Sequence, residues 1–243
     1  MLEALGWGLL AGSSLVLGGL IALHIGLSRK VLGLVMAFGA GVLISAVAYE
    51  LVLEATEAAL GTGAAAAGLA AGALAFFAGD ALIDARTGPG RKSAGVEGDG
   101  GSPFSLALGI VLDGVPESFV IGLGLVEGGA VSAAVIAAVF LSNLPEGIAA
   151  TTGLQSRGWP SRRIMGLWIA IMLLCGLSAM AGFVLLDGAS AGTVAFVLAF
   201  AGGAILVMLA DTMMPEAYEH GGKLVGLFTA LGFAVAFFIT SLE

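Results

Sequence analysis

The sequence predicts an all-α membrane protein of eight transmembrane helices in one domain, residues 1–243. The first observation is composition: 59% of residues are apolar and 11% are charged, whereas soluble domains carry about 25% charge. The second is a mean hydropathy of +1.08, which arises from continuous apolar runs long enough to cross about 30 Å of hydrocarbon. The third is that the basic residues all fall in alternate connections between these runs.

The apolar runs define the predicted helices in chain order. They lie at about 4–27, 31–54, 63–85, 104–126, 130–155, 163–186, 190–217 and 222–242. Forty glycines predict close packing of these helices through small-residue faces. The connections are short except for 86–103, which is rich in Gly and Ser and is predicted to be a mobile cytoplasmic loop.

The positions of the basic residues predict the orientation. Every Lys and Arg follows helix 1, 3, 5 or 7: Arg29, Lys30, Arg86, Arg91, Lys92, Arg157, Arg162, Arg163 and Lys223. The positive-inside rule makes that side cytoplasmic, so both termini are predicted to be extracytoplasmic. We expect a multi-pass protein of a prokaryotic-type plasma membrane, in contact with the lipid bilayer. The net charge of −8 argues against a nucleic acid partner.

An internal repeat joins the two halves of the chain. Residues 37–55 of helix 2 align without gaps on 199–217 of helix 7, and both segments begin Ala-Phe and end Glu-Ala. Helices 4 and 5 each carry a Pro-Glu pair. Because the members of each pair run in opposite directions in the predicted topology, the pattern indicates an inverted repeat with a site near the midplane. The alternative is chance similarity between Gly/Ala-rich helices.

The two Pro-Glu motifs are the predicted functional centre. The first holds Asp113 and Glu117 one helical turn apart, and the second holds Ser142, Asn143 and Glu146. A carboxylate at mid-membrane is costly unless it pairs, binds a cation or faces water. We expect the motifs to meet as an oxygen-rich cation site, which suits hard ions such as Mg²⁺ and Mn²⁺. The alternative is a set of protonated or hydrogen-bonded acids with a structural role.

These motifs, together with the span count and the elongated loop after helix 3, resemble the ZIP (Zrt/Irt-like) divalent-metal transporters. Asn143-Leu-Pro-Glu-Gly147 in helix 5 and Met-Pro-Glu-Ala in helix 7 contribute to the resemblance. The resemblance covers essentially the whole chain. It implies a homodimer, a 3+2+3 arrangement of the helices, and a transported metal ion held by helices 4 and 5.

The chain departs from the family pattern at three places. Asp113 and Gly114 stand where the family usually has His-Asn, and Ser142 stands where it often has His or another polar residue. Helix 6 has no acid before Asp187, although many members use a Glu there for a second metal position. The metal therefore stays open among zinc, manganese and iron, and it is expected as substrate rather than as a tightly bound cofactor.

Other polar residues near the predicted helices are candidates for a pathway to this site. They are Asp80, Asp211, Glu50, Glu216 and His220. The alternative for each is a solvated, capped or interfacial side chain. Met36, Met208, Met213 and Met214 could offer soft sulfur to a metal ion, but methionines in membrane helices are usually packing residues, and we interpret them so.

The sequence favours transport of a divalent cation into the cytoplasm over enzyme activity. No Gly-x-x-x-x-Gly-Lys-Ser/Thr loop is present, so a gradient or coupled protons would drive transport. Two alternatives remain open. One is a membrane sensor or scaffold that binds metal without moving it, and the other is an intramembrane aspartic protease that uses Asp80 and Asp113.

Overall fold

The computed structural model describes residues 1–59, 63–87, 103–126 and 132–242, and within these ranges it contains helices and turns but no strand. Most of the predicted cytoplasmic loop 86–103 lies outside the described residues. Within the described ranges, seven stretches are long and apolar enough to cross a membrane, and the last of them, Ala191–Thr240, covers 50 residues. The predicted all-helical, multi-pass character is therefore confirmed, while the count of eight spans stays a prediction.

The helices are labelled here in chain order. They are α1 Leu2–His24, α2 Arg29–Ala58, α3 Ala64–Thr87, α4 Pro103–Gly124, α5 Ala133–Ser156 and α6 Ser161–Leu186. Helix α7 comprises Ala191–Met208, Leu209–Met213 and Met214–Gly221, and α8 spans Val225–Thr240. Gly222 separates α7 from α8 because its positive φ of 63° cannot continue a right-handed helix. Helix α2 runs past its predicted end at 54 to Ala58.

Helices α2 and α7 share an irregularity in the middle of their apolar runs. Each contains a π-helical segment, Val47–Leu53 in α2 and Leu209–Met213 in α7. In the alignment of 37–55 on 199–217, Val47 is matched to Leu209, so both segments begin at the same aligned position. A π-helical turn inserts a residue and re-aims the side chains that follow, and such turns are frequent at functional sites.

The same two helices pack on their neighbours through matched glycines. A Cβ on Gly41 of α2 would meet the backbone of Thr229 in α8. A Cβ on Gly203 of α7, the residue aligned with Gly41, would meet the backbone of Leu69 in α3. Since only glycine permits this approach of two backbones, α2 is held to α8 as α7 is held to α3.

The partner helices α8 and α3 also contact α2 and α7 through glycines at matched positions. Gly232 of α8 lies against the carbonyl oxygen of Phe38, and Gly72 of α3 lies against the carbonyl oxygen of Phe200. Phe38 and Phe200 occupy aligned positions of the repeat. Helices α2, α3, α7 and α8 thus form one group of two similarly packed pairs.

The remaining helices form a second group around α1. Gly12 of α1 lies against Cys175 of α6, Gly147 of α5 lies against Leu15 of α1, and Gly182 of α6 lies against Phe119 of α4. Within this group the buried Trp168 Nε1 donates a 2.8 Å hydrogen bond to Thr151 Oγ1, which ties α6 to α5. The candidate site lies where this group meets the first one.

The glycine contacts also establish which helix ends lie together. Helix α6 is antiparallel to α1, because Gly8 contacts Ala179 while Gly19 contacts Trp168. Gly33, near the start of α2, contacts His220 near the end of α7. As a result the described basic residues gather at one end of the bundle: Arg29, Lys30, Arg157, Arg162, Arg163 and Lys223. We call it the basic end and the opposite one the distal end.

Candidate cation site

The Pro-Glu motifs lie in the interior of continuous helices. Asp113, Glu117 and Asn143 are 7%, 2% and 1% exposed, so three polar side chains are removed from the surface at one level. Pro116 and Pro145 lie inside α4 and α5, where each removes the N–H that would bond the carbonyl one turn earlier. For Pro145 that carbonyl is Leu141 O, which lies beside Gly39 of α2.

A cavity opens on the basic-end side of these motifs. Its empty space, including open solvent, is about 510 Å³. Its walls come from both helix groups and are formed by Met36, Gly109, Ile110, Asp113, Glu146, Ala149, Ala150, Met208, Thr212, Met213 and Glu216. We call it the basic-end cavity.

A second cavity lies on the distal side of the motifs and has about 280 Å³ of empty space. It is lined by Leu43, Ala46, Val47, Leu51, Glu117, Val120, Val135, Ala138, Val139 and Ile205. We call it the distal cavity. Among the described residues that line it, Glu117 is the charged one.

The repeat relates the two cavities to each other. When the Pro-Glu motifs are superimposed in sequence, Glu146 of the basic-end cavity is matched to Glu117 of the distal cavity. On the same alignment the lining residues Gly109 and Ile110 are matched to the lining residues Ala138 and Val139. Each cavity is therefore built from equivalent positions of the repeat, and each holds one glutamate of the Pro-Glu pair.

The buried polar atoms of the two motifs that make no protein hydrogen bond include Glu117 Oε2, Ser118 Oγ and Asn143 Nδ2. Ser142 is also fully buried, but its hydroxyl donates to Val139 O at 3.0 Å, one turn earlier in α5. A buried polar atom without a partner costs about 1–3 kcal/mol, so such atoms require an explanation. A carboxylate oxygen without a donor is suited to accept a proton or bind a cation.

The predicted carboxylate cage is divided in this structure. Asp113 and Glu146 share the basic-end cavity, whereas Glu117 lines the distal one. Among the described residues, no three His, Cys, Asp or Glu side chains are grouped so that they could hold one metal ion. A cation held jointly by Asp113, Glu117 and Glu146 would need these side chains to move together.

The predicted pathway residues have different locations. Glu216 lines the basic-end cavity. His220 does not; its Nδ1 is 2.9 Å from the carbonyl oxygen of Glu216, consistent with a bond within the same helix. Asp211 lines a separate, largely apolar groove between α3 and α7, away from the motifs. Glu50 is half-buried in the π-helical segment of α2, and Asp80 is buried in α3; neither lines the two cavities.

The structure adds residues that the sequence interpretation did not select. Thr212 lines the basic-end cavity, and its Oγ1 is buried without a hydrogen bond. Three methionines line the same cavity: Met36, Met208 and Met213. The sequence interpretation considers these methionines as possible sulfur donors and interprets them as packing residues.

Two side chains of α6 hold the backbone of the first motif. Ser178 Oγ donates a 2.8 Å hydrogen bond to Val115 O, and Cys175 Sγ lies 4.0 Å from Gly114 O. Both carbonyls belong to the turn that precedes or contains Pro116, where the helix ladder is interrupted. Helix α6 therefore contacts the motif through sulfur and hydroxyl groups, at a position where it offers no carboxylate.

Comparison with known proteins does not extend this interpretation. No family model matches the chain, and no curated protein matches it significantly. The resemblance of its motifs to those of the ZIP transporters therefore stays a prediction from the sequence.

Proposed function

We propose that the protein carries a divalent transition-metal cation, such as zinc, manganese or iron, across the membrane through a site between α4 and α5. The observation that carries the proposal is the pair of cavities on opposite sides of the Pro-Glu motifs, each with one motif glutamate. A carrier needs a central site that can be reached from either side in turn. Two cavities built from equivalent positions meet this need. If each half of the repeat took up the conformation of the other half, the cavity that is accessible would change from one end of the bundle to the other.

The repeat supports an inverted arrangement of the two halves. The π-helical segments begin at aligned residues, and the aligned glycines Gly41 and Gly203 pack on α8 and α3 in matched ways. These matches favour eight spans in a 3+2+3 order, with α4 and α5 between two groups of three. Gathering of the described basic residues at one end favours a cytoplasmic location for that end, and hence extracytoplasmic termini.

We infer that the observed conformation is the state accessible from the basic end. The lining of the basic-end cavity includes Asp113, Glu146 and Glu216, whereas Glu117 lies among apolar side chains in the distal one. With the basic end cytoplasmic, this is the state from which a cation leaves for the cytoplasm. In the alternate state Glu117 would face the distal entrance. The group of α1, α4, α5 and α6 would move against the group of α2, α3, α7 and α8.

The proposed partners follow from this function. They are the lipid bilayer of a plasma membrane, the transported cation and a second copy of the chain in a homodimer. Transport of this kind involves no covalent chemistry, so we propose a carrier and not an enzyme. The protease alternative is not favoured, because Asp80 does not line the cavity that holds Asp113.

The test is uptake of Zn²⁺, Mn²⁺ and Fe²⁺ into proteoliposomes by the purified full chain. Glu117→Gln and Glu146→Gln remove charge without changing shape, and each is expected to lower flux by about 100-fold or more, because loss of a residue that only supports a metal ligand already costs up to about 100-fold. Glu57→Gln is the control, because this glutamate is exposed beyond the π-helical segment of α2. Unchanged flux in both motif variants would refute the site. Metal binding without flux in the unmodified protein would favour the sensor or scaffold.

A further inference from the structure

A groove on the side of the bundle lies between α3 and α7, away from the Pro-Glu motifs. Its empty space, including open solvent, is about 1190 Å³. Apolar side chains form most of its lining, and Asp211 of α7 is the charged residue among the described ones that line it. Leu74 and Phe77 of α3 are 68% and 59% exposed, so the groove opens on the outer surface of the bundle. We call it the lateral groove.

The helix pair α2–α8 provides an internal comparison for this groove. A Cβ on Gly41 of α2 would lie 2.8 Å from the backbone nitrogen of Phe233 in α8. A Cβ on Gly203 of α7 would lie 3.0 Å from the backbone nitrogen of Ala73 in α3. Because Gly41 and Gly203 are aligned in the repeat, Phe233 and Ala73 occupy equivalent places in the two helix pairs.

Aromatic side chains fill this place in the α2–α8 pair. The ring centroid of Tyr49 lies 6.2 Å from that of Phe233 and 5.2 Å from that of Phe237. Asp211 is the residue of α7 that is matched to Tyr49, and it lines the lateral groove together with Ala73. The groove therefore lies where an alanine and an aspartate replace two aromatic rings. Packing of such a helix pair does not require a charge at this position, because tyrosine occupies it in α2.

Asp211 lies at mid-depth in its apolar stretch. Its neighbour Thr212 lines the basic-end cavity with Asp113, so Asp211 is level with the first Pro-Glu motif. The end of α7 at Gly221 is about 15 Å further along the helix, which is half the thickness of the hydrocarbon. The side chain is half-buried, and no described residue forms a hydrogen bond or an ion pair with it. A carboxylate at this depth is costly unless it pairs, binds a cation or faces water.

The occupant that fits the lateral groove is a helix with a basic side chain. On α3 the lining residues Ala66, Ala70, Ala73 and Phe77 recur at helical spacing and so form one continuous face. Alanines allow close approach of another backbone, as at interfaces between membrane helices. A Lys or Arg of that helix, level with Asp211, would pair with the carboxylate and lower the cost of both charges.

Two other occupants complement the groove less well. A lipid chain carries no positive charge, and the headgroups lie about 15 Å away at the membrane surface. A second copy of the chain has its Lys and Arg residues in the connections, not within the apolar runs. Two copies that met at this groove would also bring two Asp211 carboxylates toward each other.

We propose that the lateral groove binds a transmembrane helix of another membrane protein, one that carries a Lys or Arg in the middle of its apolar run. Asp211 pairs with that basic side chain, and the alanine face of α3 receives the helix backbone. This inference goes beyond the proposed function and does not depend on which ion is transported.

The test uses two synthetic Leu/Ala peptides of about 20 residues, long enough to cross the hydrocarbon. One peptide has a single central Lys, and the other has Leu at that position. The full chain and the peptides carry dyes at their amino termini, and energy transfer between them is measured in proteoliposomes of neutral lipid. We expect the Lys peptide to associate about tenfold more tightly, as for one polar contact between membrane helices. Equal association of the two peptides would overturn the proposal.

Variants locate the contact at the groove. Asp211→Asn removes the charge at constant shape and is expected to abolish the preference for the Lys peptide. Glu50→Gln is the matched control, because Glu50 is a half-buried acid in the π-helical segment of α2 and does not line the groove. A preference that persists in Asp211→Asn, or that Glu50→Gln abolishes equally, would overturn the proposal.

A second variant closes the groove. Ala73→Phe/Asp211→Tyr introduces the aromatic residues of the α2–α8 pair, so it is expected to bind neither peptide. If this variant does not fold, Ala73→Phe alone is measured under the same criterion. Undiminished binding of the Lys peptide to the closed groove would overturn the proposal.

Energy transfer between two labelled copies of the chain tests the homodimer as the occupant. If closing the groove lowers this transfer, the groove binds a second copy and the proposal is overturned. Unchanged transfer between copies, together with loss of Lys-peptide binding, supports a helix of another protein.

Discussion

The basic-end and distal cavities have the same construction and different chemistry. Glu146 and Glu117 occupy matched positions, and so do the small residues Gly109 and Ala138 beside them. Yet the basic-end cavity adds Asp113, Glu216 and the methionines, whereas the distal cavity is lined apart from Glu117 by Val, Leu, Ile and Ala. The repeat places matched backbone positions around the two cavities, while the side chains at those positions differ.

The divergence is largest on the walls contributed by α2 and α7. In the alignment of the two helices, Ala46 of α2 is matched to Met208 of α7, and Leu51 is matched to Met213. Glu54, the residue matched to Glu216, lies outside the distal cavity, although both are glutamates. A matched residue type therefore does not guarantee a matched location.

The largest effect is expected from variants that block the matched glycine contacts, of α2 with α8 and of α7 with α3. Gly41→Leu and Gly203→Leu would each push a side chain into a backbone carbonyl that cannot move aside. We expect each to cost about 3 kcal/mol or more, the upper range for overpacking, and to prevent recovery of folded protein. The measurement is the monodisperse fraction and the thermal midpoint in detergent.

Gly226→Leu is the control for these variants, because a Cβ there would meet nothing within 4 Å. If the two halves are equivalent, Gly41→Leu and Gly203→Leu should lower the monodisperse fraction and the thermal midpoint to a similar extent. Normal folding of either one would contradict the matched packing of α2 on α8 and α7 on α3.

A sharper test fills one cavity at a time at the matched positions Ala138 and Gly109. Ala138→Leu fills the distal cavity and so stabilises the observed state against its alternative. A bias of about 1.4 kcal/mol changes a population tenfold, so flux should fall about tenfold while metal binding is kept. Gly109→Leu fills the basic-end cavity and should lower both flux and binding.

Flux is measured in proteoliposomes and binding by equilibrium titration in detergent. Equal loss of binding in Ala138→Leu and Gly109→Leu would show that the two cavities are not separate ends of one pathway.

The smallest expected effect concerns the contact between α6 and the first Pro-Glu motif. Ser178→Ala removes the hydrogen bond to Val115 O, and side-chain hydrogen bonds between membrane helices contribute about 0.6 kcal/mol on average. A small drop in the thermal midpoint is expected, with Ser161→Ala, exposed at the start of α6, as control. A midpoint unchanged in Ser178→Ala would show that the position of α4 does not depend on this bond.

Much of the architecture could be predicted because it depends on local sequence. Continuous apolar runs indicated the helices, and the predicted boundaries differ from the observed ones by a few residues, as at the end of α2. The repeat between 37–55 and 199–217 was visible in the sequence, and the matched π-helical segments agree with it. The burial of Asp113, Glu117 and Asn143 also agrees with the prediction that they lie inside the bundle.

The composition of the site could be predicted less well. A turn of helix separates Asp113 from Glu117, which suggested one shared point of contact, but the two side chains line different cavities. Asp211 was a pathway candidate because it is a deep acid in α7, yet it lines a groove on the other side of that helix. Helical spacing predicts on which side of its own helix a residue lies. It does not predict at which position along that helix a neighbouring helix crosses.

Composition, apolar periodicity and the placement of Lys and Arg were enough to establish a helical membrane protein with a repeat and two central Pro-Glu motifs, because each depends on residues close in the chain. The division of the motif carboxylates between two cavities, and the meeting of methionines with Asp113 and Glu146, depend on how α2 and α7 cross α4 and α5. Those crossings are set by backbone contacts between helices at glycines far apart in the sequence. The set of side chains around the two cavities is therefore a property of the packed bundle.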